Sequence, residues 1–281
     1  MRIANVDGRL TLLTRQGPVD VEEVSGGRFT SDPQAVYDVW DEFAGWAREQ
    51  GDVTGVESGL DTARLGAPVP QPRQIFAIGL NYVDHVEESG NDLPSFPTVF
   101  TNFQSAITGP TGTVRLSGDS VDWEVELVVV VGRGGRDIPA AQAWQHVAGV
   151  TAGQDLSDRE VQLRPPAPQF SVGKSFAGYA PIGPVVVTPD ELADPDDIAL
   201  GCALNGEQVQ SSTTAQLVFS VPQVIEYLSA VVELYPGDLI FTGTPAGVGL
   251  GRTPPEYLRP GDVVETWVAG VGAMRHEFVG A

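Results

Sequence analysis

The chain has 281 residues, 42% hydrophobic and 19% charged, which suits one large domain, or one large and one small, around a real core. Lys and Arg number 16 against 37 Asp and Glu, and the formal charge of −21 argues against a nucleic-acid or anionic-membrane surface. Any anion site must therefore carry its own local positive charge or a cation, and the single cysteine, Cys202 in apolar LGCAL, excludes an internal disulfide.

The N-terminal MRIANVDGRL lacks an apolar core of signal-peptide length, and the longest apolar run, Leu127 to Val131, is too short to span a bilayer. No Asn-X-Ser/Thr sequon occurs, so a soluble cytoplasmic protein is expected. Arg2 to Val6 and Arg9 to Leu13 flank Asp7-Gly8, a hairpin signal. Asp32 and Pro33 predict the start of a helix, with Val36, Val39, Trp40, Phe43, Trp46 and Ala47 at helical spacing and Gly51 closing it. The aromatic stripe reads as core. Three prolines between Gly66 and Arg73 read as a linker. Residues 1–70 are thus expected to form a small α/β domain and residues 71–281 the main domain.

Gln74 to Gly79 predicts a strand, followed by LNYVDHVEESG from Leu80 to Gly90. On a helical turn His85 and Glu88, three apart, share a face. That pairing suits a general base oriented by a carboxylate, although a solvated helix surface is the better reading of a lone His-x-x-Glu. Pro97 to Phe100 predicts a short strand and Thr108 to Gly112 a turn.

Val121 to Arg133, VDWEVELVVVVGR, predicts one strand, in which Glu124 and Glu126 project from the same face. Two carboxylates sunk in an apolar strand are costly unless paired or bound to a hard cation. A metal pair and a wet edge face fit this spacing equally. Pro139 to His146 predicts a helix, and Val147 to Gln154 a strand that delivers Asp155, a third oxygen ligand or simply an N-cap. The three histidines, His85, His146 and His276, show no zinc-site spacing.

Gly173-Lys174-Ser175 resembles the end of a phosphate loop, but Pro168 stands where its first glycine is required. Lys174, the sole lysine of the chain, sits among glycines and aromatics as a candidate oxyanion partner. Val185 to Thr188 predicts a strand, and Asn205-Gly206 a hairpin between Ala199–Leu204 and Glu207–Gln210. Pro222 to Ala230 predicts a helix; Leu239 to Thr242 and Val263 to Val268 predict strands. GTPAGVGLG, Gly243 to Gly251, lets backbone approach a ligand, but no Rossmann unit surrounds it. Frequent turns and few helices predict a closed or rolled mixed sheet.

Six blocks, IGLNYVDHVEE, DWEVELVVVVGR, GQDLSDREVQ, GKSFAGYAPIGP, LNGEQVQ and PGDLIFTGTPAGVG, occur in the order found in the fumarylacetoacetate hydrolase family, which this chain resembles from about Ile75 onward. The resemblance implies an α+β, β-rich fold with a rolled mixed sheet, a small variable N-terminal domain, and a homodimer. It implies a Mg²⁺ or Mn²⁺ site on Glu124, Glu126 and Asp155, with His85 and Glu88 as an acid/base pair and Lys174 against substrate oxygens. Tyr82, Arg159, Gln162 and Thr244 match substrate-binding positions, Arg159 and Gln162 beside the metal and Thr244 at the substrate carboxylate. The implied substrate is a small anionic 2-oxo acid. The implied reaction is hydrolytic C–C cleavage of a β-diketo acid to pyruvate and a second acid, or else oxaloacetate decarboxylation or 2-oxo acid tautomerisation at the same site. Asn102, Gln154 and Gln216 depart from residues frequent in the family, which touches the outer pocket rather than the metal ligands.

Overall fold

A computed structural model describes residues 1–50 and 60–280. Its main sheet runs in the order Gly17–Asp20, Arg9–Thr14, Arg2–Val6, Ala180–Val187, Val147–Gln154, Val125–Val131, Leu239–Phe241, Ile75–Gly79, Thr98–Phe100. Pairing is antiparallel along this path except between Leu239–Phe241 and Ile75–Gly79. A second sheet orders Glu207–Thr213, Ala199–Leu204, Val263–Val268, Gly272–Val279 and Thr111–Arg115. The architecture is the β-rich mixed fold expected.

The Val125–Val131 strand explains why this run is apolar throughout: all seven residues are buried. Val125, Leu127, Val129 and Val131 enter one core, and Val128 and Val130 the other. A strand covered on both faces loses the polar alternation of a half-exposed one. Each such side chain contributes about 1.5–3 kcal/mol by leaving water. The strand begins later than predicted. Val121–Asp122 is a separate short strand paired with Ser157–Asp158, and Trp123 and Glu124 lie between the two pieces.

The strands before residue 70 join the main sheet, with Arg2 opposite Val187 and Ile3 opposite Val186. Ile3, Leu12, Trp40 and Phe43 share a core with Val128, Ile182 and Phe241. The proline-rich segment near residue 70 therefore marks no break in packing. The helix predicted from Asp32 starts later: the Asp32 carboxylate accepts from the Gln34 amide in a turn, a 3₁₀ segment covers Ala35–Val39, and the α-helix is Trp40–Glu49. Gly51, its predicted end, lies outside the described residues. Ala140–His146 is likewise 3₁₀. Thr108 to Gly112, read as a turn, holds the ends of two strands, Ile107–Thr108 and Thr111–Arg115. Ala180–Val187 begins five residues before its predicted start, through Pro181 and Pro184. Proline lacks a ladder donor, which is why the predicted strand begins only after Pro184.

Candidate active site

Glu126 lies at the start of its strand, Glu124 just before it, and Asp155 just after Val147–Gln154, the neighbouring strand. The pairing of these two strands brings the three carboxylates together, with one oxygen of each within 4.8 Å of the others. All three are buried. Glu124 is steered by its surroundings: its amide donates to Gln154 Oε1 at 2.8 Å, and its carboxylate meets Arg159 Nη1 at 2.8 Å and Lys174 Nζ at 2.6 Å. Lys174, the only lysine in the sequence, also reaches Asp155 Oδ2 at 2.7 Å. Asn102 donates to Asp155 Oδ1 at 2.8 Å, and the Gly243 amide to Glu126 Oε2 at 2.7 Å. Gly243 has φ +103°, a conformation that lets its N–H turn onto the carboxylate.

Electrostatics divides the three acids. Burial raises the pKa of Glu124, but Lys174 and Arg159 outweigh it and hold the group below its usual value. Glu126 is pushed well above the carboxylate range, by burial first and then by the Asp155 and Glu124 charges. Asp155 is also raised, by burial and Glu124, against the pull of Lys174. Burial opposes the Lys174 charge, yet Asp155 and Glu124 outweigh it and keep the ammonium protonated.

This donor set fits a hard divalent cation. Asp122, Glu124, Glu126 and Asp155 are four buried carboxylates against two buried cations, Arg159 and Lys174. A doubly charged cation would supply the missing balance, and an all-oxygen donor set suits a hard one. Asn102 Oδ1, a buried acceptor with no protein partner, stands beside the cluster, ready for a further oxygen-bound hydrogen such as that of a metal-bound water.

A cavity of about 610 Å³ opens onto Glu124 and Glu126. His85, Glu88, Glu124, Glu126, Arg159 and Lys174 line it, with Gln162 and Thr244. His85 and Glu88 lie on the Val83–Glu88 helix, and Nδ1 of His85 sits 3.2 Å from Glu88 Oε2. In a neutral imidazole, a carboxylate acceptor at Nδ1 favours the tautomer whose lone pair is on Nε2. Glu88 is itself held by the Gly247 amide at 3.0 Å. Thr244 Oγ1 accepts from Gln210 Nε2 at 2.8 Å, so its own proton is free to donate into the cavity. Gln162 accepts from Arg159 at 2.9 Å. Nine of the ten residues singled out from the sequence thus converge: Asp155 through its ion pair with Lys174, the others at the cavity wall.

Tyr82 does not line the cavity. It is fully buried in the core, its backbone bridges to Leu217, and its hydroxyl has no partner. Burial first, and then the Glu126 and Asp84 charges, push its pKa up, so it backs the site from within. Sequence reasoning assigned no role to Asp122. Its carboxylate pairs with Arg159 Nη2 at 2.6 Å and accepts from the Gly249 amide at 2.7 Å and the Leu250 amide at 2.9 Å. One buried acid thus ties the arginine behind Glu124 to the glycine-rich loop. The signal was present in the spacing, since Asp122 precedes Glu124 as Glu124 precedes Glu126.

Among the described residues no helix is long and apolar enough to cross a membrane. The family model for the fumarylacetoacetate hydrolase C-terminal domain matches residues 74–279. The human protein named oxaloacetate tautomerase FAHD2A, mitochondrial, is 44% identical over 215 residues, covering 76% of this chain and 68% of its own length. The crystal structure of a "putative HpcE protein" from Mycobacterium smegmatis superposes with a TM-score of 0.94 at 56% identity, over 100% of both chains. Maleylpyruvate hydrolase from Sphingobium sp. SYK-6, solved with manganese(II) and pyruvate, has a TM-score of 0.77 at 26% identity, again over 100% of both chains. With a family model matching residues 74–279 and a relative 44% identical across 76% of this chain, the chain belongs to the fumarylacetoacetate hydrolase family.

Proposed function

We propose that this chain is a divalent-metal-dependent tautomerase of a 2-oxo dicarboxylic acid of the oxaloacetate kind. The observation that carries this reading over C–C hydrolysis is the 44% identity with the human oxaloacetate tautomerase across three quarters of the chain. The site supplies what the reaction needs, a proton carrier beside a place where negative charge on oxygen is stabilised.

Glu124, Glu126 and Asp155 would hold Mg²⁺ or Mn²⁺, which when bound supplies Lewis-acid polarisation of the 2-oxo group. The chain's own residues move the proton. Nε2 of His85 takes a proton from the carbon next to the 2-oxo group and returns it to the enol oxygen, and the reverse path restores the keto form. Glu88 stabilises the imidazolium formed in between, and the Gly247 amide keeps Glu88 in place. Lys174 adds positive charge next to the reacting oxygens. The Thr244 hydroxyl donates to the substrate carboxylate. No water or second reactant is consumed.

The second reading, hydrolytic cleavage of an acylpyruvate, is favoured by the same His85–Glu88 pair, which could equally activate a water, and by the likeness to maleylpyruvate hydrolase. One assay separates them. Oxaloacetate enol absorbance is followed with Mg²⁺, with Mn²⁺ and with chelator, while pyruvate, CO₂ and a second acid are measured from oxaloacetate and acetylpyruvate. Chelator-sensitive enol–keto interconversion without pyruvate supports the tautomerase. Pyruvate plus acetate from acetylpyruvate would install the hydrolase, and pyruvate plus CO₂ from oxaloacetate a decarboxylase.

A further inference from the structure

The inner cations of the cavity are already committed. Arg159 is held by Asp122 and Glu124, and Lys174 by Glu124 and Asp155, all buried. One further arginine, Arg252, lines the same cavity. Its guanidinium carbon lies 5.3 Å from the centroid of the Trp123 ring. Trp123 is rigid: it is fully buried, and its Nε1 donates to the Gly247 carbonyl at 3.1 Å. A guanidinium resting on a fixed indole is directed before any ligand arrives. The only ion pair Arg252 makes among the described residues is with Glu256, four positions on, at 2.7 Å. Both members are partly exposed, 34% and 47%, so the pair is weak and easily exchanged.

A substrate with one carboxylate spends it at the chelating end, beside the triad. A second carboxylate entering a cavity already crowded with acids would be repelled unless it met a cation of its own. We propose that Arg252 is that cation: it receives the distal carboxylate of the substrate in exchange for Glu256, and so selects 2-oxo dicarboxylic acids over monocarboxylic ones. The assignment rests on the oxo-acid reading above and specifies its substrate class.

The test uses stable analogues that share a chelating head, L-lactate and L-malate, the latter adding the distal carboxylate. Binding of each to the Mg²⁺-loaded protein is measured by calorimetry. The wild type is expected to bind L-malate about tenfold more tightly than L-lactate. Arg252→Gln loses that preference and keeps its L-lactate affinity. Glu256→Gln, which removes the competing acid, tightens L-malate only. An unchanged L-malate preference in Arg252→Gln overturns the assignment, as does an equal loss for both ligands, or a wild type with no preference. Oxaloacetate tautomerisation is measured alongside. An Arg252-dependent L-malate preference without tautomerisation sinks the tautomerase reading and leaves this one standing. Tautomerisation with an Arg252-independent preference does the reverse.

Discussion

Glu126 has the least favourable surroundings of the three ligand candidates. Lys174 and Arg159 lie against Glu124, and Lys174 and Asn102 against Asp155, whereas Glu126 touches one backbone amide and feels two like charges that Lys174 offsets only in part. A neutral isostere keeps the acceptor for the Gly243 amide and turns its new N–H donors toward those acids. Glu126→Gln is therefore expected to melt at higher temperature than the wild type without metal. It should also lose the gain that metal confers, about 2.7 kcal/mol for the wild type at a hundredfold excess over Kd. Thermal melts with Mg²⁺ and with chelator measure both; a mutant still stabilised by Mg²⁺ would remove Glu126 from the ligand set. In the mechanism proposed above, His85 acts on the proton rather than on the metal. His85→Ala should cut turnover by about 10²–10⁴ while leaving the Mg²⁺-induced rise in melting temperature intact. A loss of both would place His85 in the metal site instead.

At the scale of elements, the glycine-rich Gly243 to Gly251 segment is a hub held by acids. Glu126 takes the Gly243 amide, Glu88 the Gly247 amide, and Asp122 the Gly249 and Leu250 amides. Asp122→Ala leaves the buried Arg159 with Glu124 as its one remaining acid and strands two amides, and should cost about 3–5 kcal/mol, read from denaturant unfolding. A loss below about 1 kcal/mol would show that the loop holds without it. Much of this framework was legible in the sequence, because local chemistry decides it. Asp7 and Asn205 adopt positive φ with their following glycines, as the hairpin signals require. Val147–Gln154 matches its predicted bounds. Non-local pairing hid the rest. Thr111–Arg115 is a strand because Gly272–Val279 lies beside it in parallel, and neither segment has a β-branched run of its own. In the latter, Met274, His276 and Phe278 face inward, and the histidine masks the apolar alternation. His276 donates from Nε2 to the Gly109 carbonyl at 3.0 Å, while Nδ1 is buried without a partner. Burial lowers its pKa, so the unfolded chain binds the proton more readily than the folded one. Stability is then complete above about pH 6.5 and falls as pH drops through the folded pKa. His276→Gln should flatten the decline in melting temperature between pH 7 and 5.5. An unaltered slope would assign the acid sensitivity to other groups.

For the whole molecule, the charge of −21 and the buried cationic centre act over different distances. Lys174 and Arg159 are neutralised by the carboxylates they touch, so little positive field escapes the cavity. A dianionic substrate approaching from solution meets the net negative surface first. That repulsion is long-ranged, and salt removes it: the Debye length shrinks from about 30 Å at 0.01 M to about 8 Å at 0.15 M. The interactions that hold the bound substrate act within a few ångströms and are screened far less. Raising ionic strength over this range is therefore expected to increase kcat/KM for oxaloacetate a few-fold while leaving kcat nearly unchanged. Steady-state kinetics with free Mg²⁺ held constant and a non-binding monovalent salt measures this. A decrease in kcat/KM would mean that the loaded metal and Arg252 project enough positive potential through the cavity mouth to steer the anion inward despite the acidic surface.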